Sequence, residues 1–388
     1  MSTSSLPERS KVHRNKKKAQ GKSIRKRKKK NRLRLLVKLM LYTLLVMLAG
    51  AGWLYLLPAG QSTRYLLADT LITTQHRHWA KYVIGETELQ RRVAAYNEQF
   101  LQMGDERDTH TIATPPPAPA TDSSTASAPE AKPLVEIEKI TGSGYAGYMM
   151  TVHDPTKVRL GITGTAGSGE KVSHMVERTG AIAGVNGGGF ADPNWKGNGF
   201  KPIGLVISRG KLFYNGLGGK TSTQIVGLDK QGKMIAGNYS LEELRDLGVQ
   251  EAVTFQPRII VNGRGLFKSD KDGWGLAPRT AMGQRADGAL LFVVIDGRQP
   301  GYSVGATLYD VQQVMLEHGA VIAANLDGGS STVLVKDNAI VNKPSSQYGE
   351  RYLPTAFLVF EHPEQADIAN IWEGLDPSQI DAGKKRSQ

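Results

Sequence analysis

Residues Ala320 to Val335 read AVIAANLDGGSSTVLV. The first half, Ala320 to Leu326, is small and branched and carries no charge, and it ends in a turn signal. A run of that length and composition predicts a strand buried on both faces. It delivers Asp327 into Gly328, Gly329, Ser330, Ser331 and Thr332, after which a second apolar run begins at Val333. Glycines beside a carboxylate let a ligand approach main-chain N–H groups and permit positive φ. The plainer reading is a tight turn in which Asp327 caps its own backbone, and this stretch alone leaves both readings open.

Two other stretches repeat the pattern. Ala181 to Val185 runs into Asn186, Gly187, Gly188, Gly189 and Phe190; Ala289 to Ile295 runs into Asp296, Gly297 and Arg298. Three buried strands that each end in a polar residue and glycine suggest ends converging on one site. Around them, Leu134 to Ile140 and Lys157 to Ile162 alternate as strands do, and Ile203 to Tyr214 reads as a hairpin turning near Arg209 and Gly210. Glu170 to Thr179 reads as a helix. Ser240 to Glu243 and Thr307 to Asp310 are capping boxes that open two more helices, closed by Gly248 and Gly319. The fold class expected is α/β or α+β: a mixed β-sheet domain with interspersed helices, preceded by an N-terminal transmembrane helix.

The formal net charge of +13 invites a nucleic-acid reading, but residues 1–38 hold 16 Lys/Arg against the single acid Glu8, which leaves a net of −2 on the remainder. The basicity belongs to an arm, so no nucleic-acid partner is expected. Leu39 to Leu57 follows without a charge, with Tyr42, Trp53 and Tyr55 near its ends. Nineteen such residues span a bilayer core at about 1.5 Å rise per residue. The flanking cations place the N-terminus in the cytoplasm and the rest outside. The run is longer than the roughly 7–15 residues of a signal-peptide core and no small-x-small site follows, so an uncleaved anchor is expected. Residues 58–110 carry apolar side chains at helical spacing and read as a helical stalk, which also offers a surface for self-association. His76 and His78 there do not share a helix face and read as solvated. Residues 111–133 form a Pro/Ala/Ser/Thr linker, 134–362 the globular domain and 363–388 a tail. With no cysteine, thiol chemistry and thiolate metal sites are excluded.

The ordered motifs RTAMGQ (Arg279 to Gln284), VIDGR (Val294 to Arg298), GATLYDVQQVMLEHGA (Gly305 to Ala320) and NLDGGSST (Asn325 to Thr332) carry a resemblance. With VNGGGF (Val185 to Phe190), PIGLVISRGKL from Pro202 and ERYLPTAFLV from Glu350, the stretch Val135 to Glu361 resembles the phosphodiester glycosidase family. Many relatives read NGGFF, and DGGGSS with an extra glycine, where this chain has NGGGF and DGGSS. The resemblance implies hydrolysis of a sugar-1-phosphodiester, and together with the anchor and orientation read from residues 1–57 the expectation is a membrane-anchored extracellular enzyme acting on cell-surface or exopolysaccharide glycans.

Such a reaction needs a carboxylate at the developing oxocarbenium centre, or to activate water, and a cationic clamp for the phosphate. The carboxylates on offer are Asp327, Asp296 and Glu350. The substrate and phosphate contacts are Arg279, Arg298, Arg351, Asn186, Gly187, Gly188, Asn325, Gly328, Gly329 and Ser330. The structural alternative for each charged residue is an internal ion pair, such as Asp296 with Arg298 or Glu350 with Arg351. His174 and His318 read as structural. No cofactor or metal is expected, and a structural Ca²⁺ in a loop such as Asp270 to Asp272 has no further support; without an HxH or DxH cluster a metal phosphoesterase fits poorly. The alternative function is a non-catalytic cell-surface binder of anionic or phosphorylated polysaccharide.

Overall fold

A computed structural model describes residues 9–74, 76–112, 132–193 and 196–383. The described residues divide into two compact units, Met1–Tyr65 and Leu66–Gln388. The first is dominated by one helix, Arg9–Leu56, whose part from Asn31 to Leu56 is long and apolar enough to cross a membrane. Nearly all of its leucines and methionines are exposed, as a lipid-facing surface requires. Length and composition of this kind also characterise a signal sequence near an N-terminus.

In the second unit the strands build three sheets. The seven-stranded sheet runs in the order Val135–Gly142, Tyr145–Val152, Leu290–Ile295, Arg279–Arg285, Ala320–Asn325, Arg258–Val261, Arg264–Gly265. A five-stranded sheet has Ala339–Ile340, Leu334–Lys336, Ala183–Asn186, Thr355–Val359 and Val158–Ile162; another has Lys211–Gly216, Gly204–Ser208, Val249–Thr254, Ser222–Asp229 and Met234–Ser240. Every named pairing among the described strands is antiparallel, so within the expected class the domain is α+β, and the mixed sheet of the sequence reading is replaced by antiparallel ones. The physical reason lies in the connections. Tight turns such as the one at Gly144 (φ 84°) join strands as hairpins, and the few short helices leave little scope for parallel crossovers.

The apolar runs are explained by burial on both faces. Along the seven-stranded sheet Met150, Met282, Val294 and Ala324 face a core shared with the other two sheets, while their neighbours Met149, Ala281, Val293 and Ala323 face a second core. That second core is closed by the helix Leu308–Glu317, which opens on the capping box of Thr307 and Asp310 and presents Leu308, Val311 and Met315. Period-2 alternation between two dry faces erases the polar positions that a half-exposed strand would show. The helix at Ser240 likewise forms, as Leu241–Asp246, with both capping-box bonds made.

Residues from Leu66 to His110, expected as part of a stalk, pack into the domain instead. The helix Glu86–Gln102 sets Phe100 into the second core, where Tyr96 and Phe100 meet Trp274. Trp274 Nε1 donates to Gln99 Oε1 at 2.6 Å, and Arg258, one of the largest fully buried side chains, donates to the carbonyls of Met103 and Glu106. The reason is that the apolar stripe of this helix covers a sheet face that would otherwise be wet. A fragment beginning at residue 134 is therefore expected to unfold at a lower temperature than one beginning at residue 66, read by calorimetry; removal of the Phe100 side chain alone should cost about 3–5 kcal/mol. Most of the linker 111–133 and the last residues of the tail lie outside the described residues.

Candidate functional site

The strand Ala320–Asn325 lies between Arg279–Arg285 and Arg258–Val261, near the middle of its sheet. Pairing continues past its end: Leu326 N donates to Thr280 O at 2.8 Å and Asp327 N to Gly187 O at 3.2 Å. The main chain at Asp327 is therefore held by two different sheets. A short 3₁₀ turn, Gly329–Ser331, follows. Gly329 sits at φ 63°, donates to Pro278 O at 2.9 Å, and would bring a Cβ to 3.1 Å from Arg298 Nη2. The left-handed conformation favours glycine there, and the bare Cα leaves room for the Arg298 guanidinium.

Asn186 is fully buried and ties the strand ends together. Its Oδ1 accepts from Thr280 Oγ1 at 2.8 Å and from Val333 N at 3.1 Å, and its Nδ2 donates to the Asp327 carbonyl. These three bonds tie its side-chain amide to the protein, and through them it positions Asp327. The glycines after it are tied in the same way. Gly187 N donates to Thr355 O, Gly188 N to Thr355 Oγ1 and Gly189 N to Thr254 O. A Cβ on Gly187 would come within 2.5 Å of Thr355 Oγ1, and one on Gly188 within 2.7 Å of Val253 Cβ. These glycines serve close packing between strands, and their N–H groups are not left open for phosphate as the sequence alone suggested.

The carboxylates separate clearly. Asp327 has one oxygen, Oδ2, that is buried without a hydrogen-bond partner. Burial pushes its pKa up to about 6; a bond from Ser331 and the charge of Arg351 oppose the shift, and the nearby charge of Asp192 adds to it. Asp296, also buried, is saturated: it accepts from Tyr302 Oη at 2.9 Å, Asn342 Nδ2 at 2.8 Å and Lys343 N at 2.9 Å. It braces the loops on either side of Arg298, and no ion pair with Arg298 forms among the described residues. Glu350 accepts from Ser173 N at 2.8 Å and Ser173 Oγ at 2.6 Å, capping the first turn of the helix Val172–Thr179 from another part of the chain. That geometry gives Glu350 a structural use. Glu350→Ala is expected to lower stability by about 1 kcal/mol through the lost cap while leaving the Asp327 site in place, measurable by denaturant unfolding.

The cations fall into three situations. Arg351 pairs with Asp192 at 2.9 Å, reaches Ser330 Oγ at 3.4 Å and lies over the Phe190 ring at 5.0 Å. Arg279 is buried and donates to three backbone carbonyls, those of Ala306, Trp274 and Gly275, at 3.0–3.1 Å. Burial brings its pKa down to about 10, which leaves it charged at neutral pH. Arg298 stands at φ 59° with its guanidinium beside Gly329; the residue is exposed as a whole, but burial of the guanidinium lowers its pKa, and it forms no ion pair among the described residues. Asn325 sends Nδ2 to Gln256 O at 3.3 Å, and its buried Oδ1 has no partner.

The structure thus gathers Asp327, Gly328, Gly329, Ser330, Arg298 and Arg351 into one cluster, with Asn186 and Asn325 beneath it, and leaves Glu350 and Asp296 in bracing positions. Asp192 belongs to the cluster and was missed; its only signal was its place two residues beyond the glycine motif. No group of three or more His, Asp or Glu side chains suited to a metal ion occurs among the described residues. His174 lies on the exposed side of its helix, and His318 bonds Val314 O and Glu138.

Residues 179–360 match a protein-family model described as phosphodiester glycosidase. An uncharacterized protein, YomE, derived from the SPbeta prophage of Bacillus subtilis strain 168, is 26% identical over 228 residues, which is 57% of this chain and 33% of that protein. The N-acetylglucosamine-1-phosphodiester alpha-N-acetylglucosaminidase of Mus musculus is 26% identical over 232 residues, 54% of this chain and 43% of that one. The chain thus spans less than half the length of these curated relatives. Among solved structures, the catalytic domain of the zebrafish enzyme of the same name, auto-inhibited by its pro-peptide, superposes with a TM-score of 0.50 at 22% identity, covering 59% of this chain and 84% of that domain. The similarity supports a common fold.

Proposed function

We propose, for a chain that carries a phosphodiester glycosidase family domain over residues 179–360, that it hydrolyses a sugar-1-phosphodiester, with Asp327 as the reacting carboxylate. The sugar C1–O bond breaks, the phosphate leaves as a monoester with the bonding electrons, and water adds to C1. What carries the reading is the buried Asp327 Oδ2, without a partner among the described residues, beside an arginine at a glycine turn that forms no ion pair among them. A carboxylate whose pKa is about 6 is mostly charged at pH 7 and poorly solvated, which suits it to stabilise a developing cation or to take a proton from water. Phosphate is a good leaving group, so a second free carboxylate acting as acid is dispensable.

Arg298 and Arg351 are assigned to the phosphate. A guanidinium presents two parallel N–H donors that an ammonium lacks. Arg298→Lys is therefore expected to lose about tenfold or more in kcat/KM, about 1.4 kcal/mol of transition-state stabilisation, with the melting temperature little changed. Full activity in that variant, or a collapse of stability, would move Arg298 to a structural role. Arg279, whose donors are engaged by backbone, contributes long-range positive charge and rigidity to the Pro278 turn.

The deciding experiment offers the full chain, purified in detergent, a panel of sugar-1-phosphodiesters in ¹⁸O-labelled water. Label in the released sugar supports the assignment. Label in the phosphate would mean P–O cleavage by a phosphodiesterase, and binding without turnover would mean a glycan binder.

The helix within Arg9–Leu56 is assigned as an uncleaved anchor with the basic arm in the cytoplasm and the domain outside. Protease added to intact cells is expected to release the domain by cutting within residues 111–133; a domain protected in intact cells would reverse that topology.

A further inference from the structure

Away from the Asp327 cluster, and sharing no lining residue with it, a cavity of about 420 Å³ opens between the strand Val158–Ile162, the turn at Arg209 and the turn after Ser222–Asp229. That volume lies within the range of small-molecule sites and leaves room for a sugar unit with an attached group. Six charged residues line it: Arg159, Arg209, Lys230, Asp229, Glu251 and Glu364. Formal charge balances, but the acids turn lone pairs to the protein's own donors, so the groups left to face a ligand are mainly donors. Glu251, buried at the cavity floor, accepts from Leu160 N at 2.9 Å and from Arg209 N at 3.4 Å. Asp229 Oδ1 accepts from Gln231 N and Lys233 N within its own turn, and Glu364 pairs with His362 at 3.3 Å.

The cations are not correspondingly neutralised. Lys230 is exposed and has no hydrogen-bond or ion-pair partner among the described residues. Arg209 Nη2 donates to the Ala366 carbonyl and Arg159 Nη1 to the carbonyls of Thr156 and Val158, at 2.9 and 2.7 Å. The nearest acid to Arg159 is Glu251, at the long distance of 3.9 Å. Backbone carbonyls orient guanidinium groups without cancelling their charge, so the mouth is donor-rich and preorganised. Burial holds Glu251 up to about 7, so it spends part of its time neutral at physiological pH and subtracts less from that field.

We propose that this cavity is a second binding site, for a sugar unit bearing a phosphate or a carboxylate. Arg159 and Arg209 contact the anionic group, Lys230 closes over it, and the polar walls take the hydroxyls. The site does not depend on the hydrolytic assignment. On an anionic polymer it would hold a unit remote from the Asp327 cluster, and the two sites together would bind the chain more tightly than either alone.

The test is calorimetric titration of the full chain with glucose 1-phosphate, glucuronate and inorganic phosphate. The background is Arg298→Ala, which weakens the anion site at the Asp327 cluster. Lys230→Glu, at an exposed turn, and Arg209→Asn, which tolerates the left-handed backbone at φ 50°, should each weaken binding of a sugar acid or sugar phosphate at least tenfold. Lys230→Arg should retain it, and all three should melt within a few degrees of the parent. Hydrolysis of a small phosphodiester should be unchanged by Lys230→Glu in the otherwise wild-type chain. A preference for the two sugars over phosphate supports a sugar site; equal binding of all three would reduce it to an anion site and overturn the proposal. Unchanged affinity in Lys230→Glu and Arg209→Asn would also overturn it, whatever the outcome of the hydrolysis assay.

Discussion

Asp327→Asn is expected to lose at least about two orders of magnitude in turnover, roughly 3 kcal/mol of transition-state stabilisation, while still binding a phosphodiester. The substitution keeps volume and shape and removes the charge. The backbone at 327 is fixed by Leu326 and Asp327 bonding across two sheets and by the Asn186 amide, so the side chain cannot easily be replaced by a neighbour. Stability should move in the opposite direction. The folded pKa of about 6 lies above the 3.8 of a solvated aspartate, so the native state holds the proton more tightly than the unfolded one. Between pH 4 and 6 the native state binds more protons, and stability falls as pH rises through that window. Above pH 6 the buried carboxylate costs on the order of 2–3 kcal/mol, a figure that partial exposure of the residue reduces. Asp327→Asn should therefore unfold at a higher temperature than the parent at pH 7 and at a similar one at pH 4. Wild-type turnover should rise with pH along a limb centred near 6 and lose that limb in the variant. Near-normal turnover in Asp327→Asn on a substrate the parent cleaves would remove the catalytic assignment. Asp192, the other carboxylate of the cluster, would then be the next to test.

The combination of lost activity and gained stability distinguishes a working carboxylate from a bracing one. Asp296 and Glu350 accept several donors each, so their removal should destabilise; of these three carboxylates, Asp327 is the one with a buried oxygen that has no partner among the described residues.

What the sequence made legible follows from what sequence patterns encode. Asp327 at the end of an apolar run, and the capping boxes at Ser240 and Thr307, are local signals, and each appears where the local pattern placed it. The convergence of strand ends near Asn186 and Asp327 was also readable, because each end is marked by glycine. The use of those glycines was not. A glycine that exposes an N–H to phosphate and one that admits Thr355 or Val253 look alike in sequence, since the difference is the identity of a partner more than sixty residues away. Glu350 beside Arg351 suggested an ion pair, yet adjacency in sequence does not decide which partner each side chain meets in the fold. Each found its partner elsewhere, Glu350 at Ser173 and Arg351 at Asp192. The segment before the linker was misread for a related reason. Its apolar stripe is that of any amphipathic helix, and nothing local states whether the stripe meets a second copy or the chain's own sheet.

Arg258 offers the strongest test of that last assignment, and Arg258→Met is expected to lower stability by about 3–5 kcal/mol. Arg258 is 1% exposed, and its guanidinium donates to Met103 O at 3.1 Å, Ala236 O at 2.9 Å and Glu106 O at 2.6 Å. Two of the three acceptors lie in the segment before the linker and one in the strand Met234–Ser240, so a single side chain bolts that segment to the sheet. Methionine fills most of the space but supplies no donor, and three inward-facing carbonyls lose their partner. No carboxylate forms an ion pair with Arg258 among the described residues, so the loss comes from the orphaned carbonyls and not from a stranded counter-ion. On a domain of this size the melting temperature should fall by about 10 °C. Limited proteolysis should then cut first between residues 101 and 112, before the sheets open, while turnover measured well below the transition stays close to that of the parent. A segment that merely tethers the domain would show neither effect: a loss below about 1 kcal/mol with an unchanged cleavage pattern would return residues 66–110 to the role of a stalk.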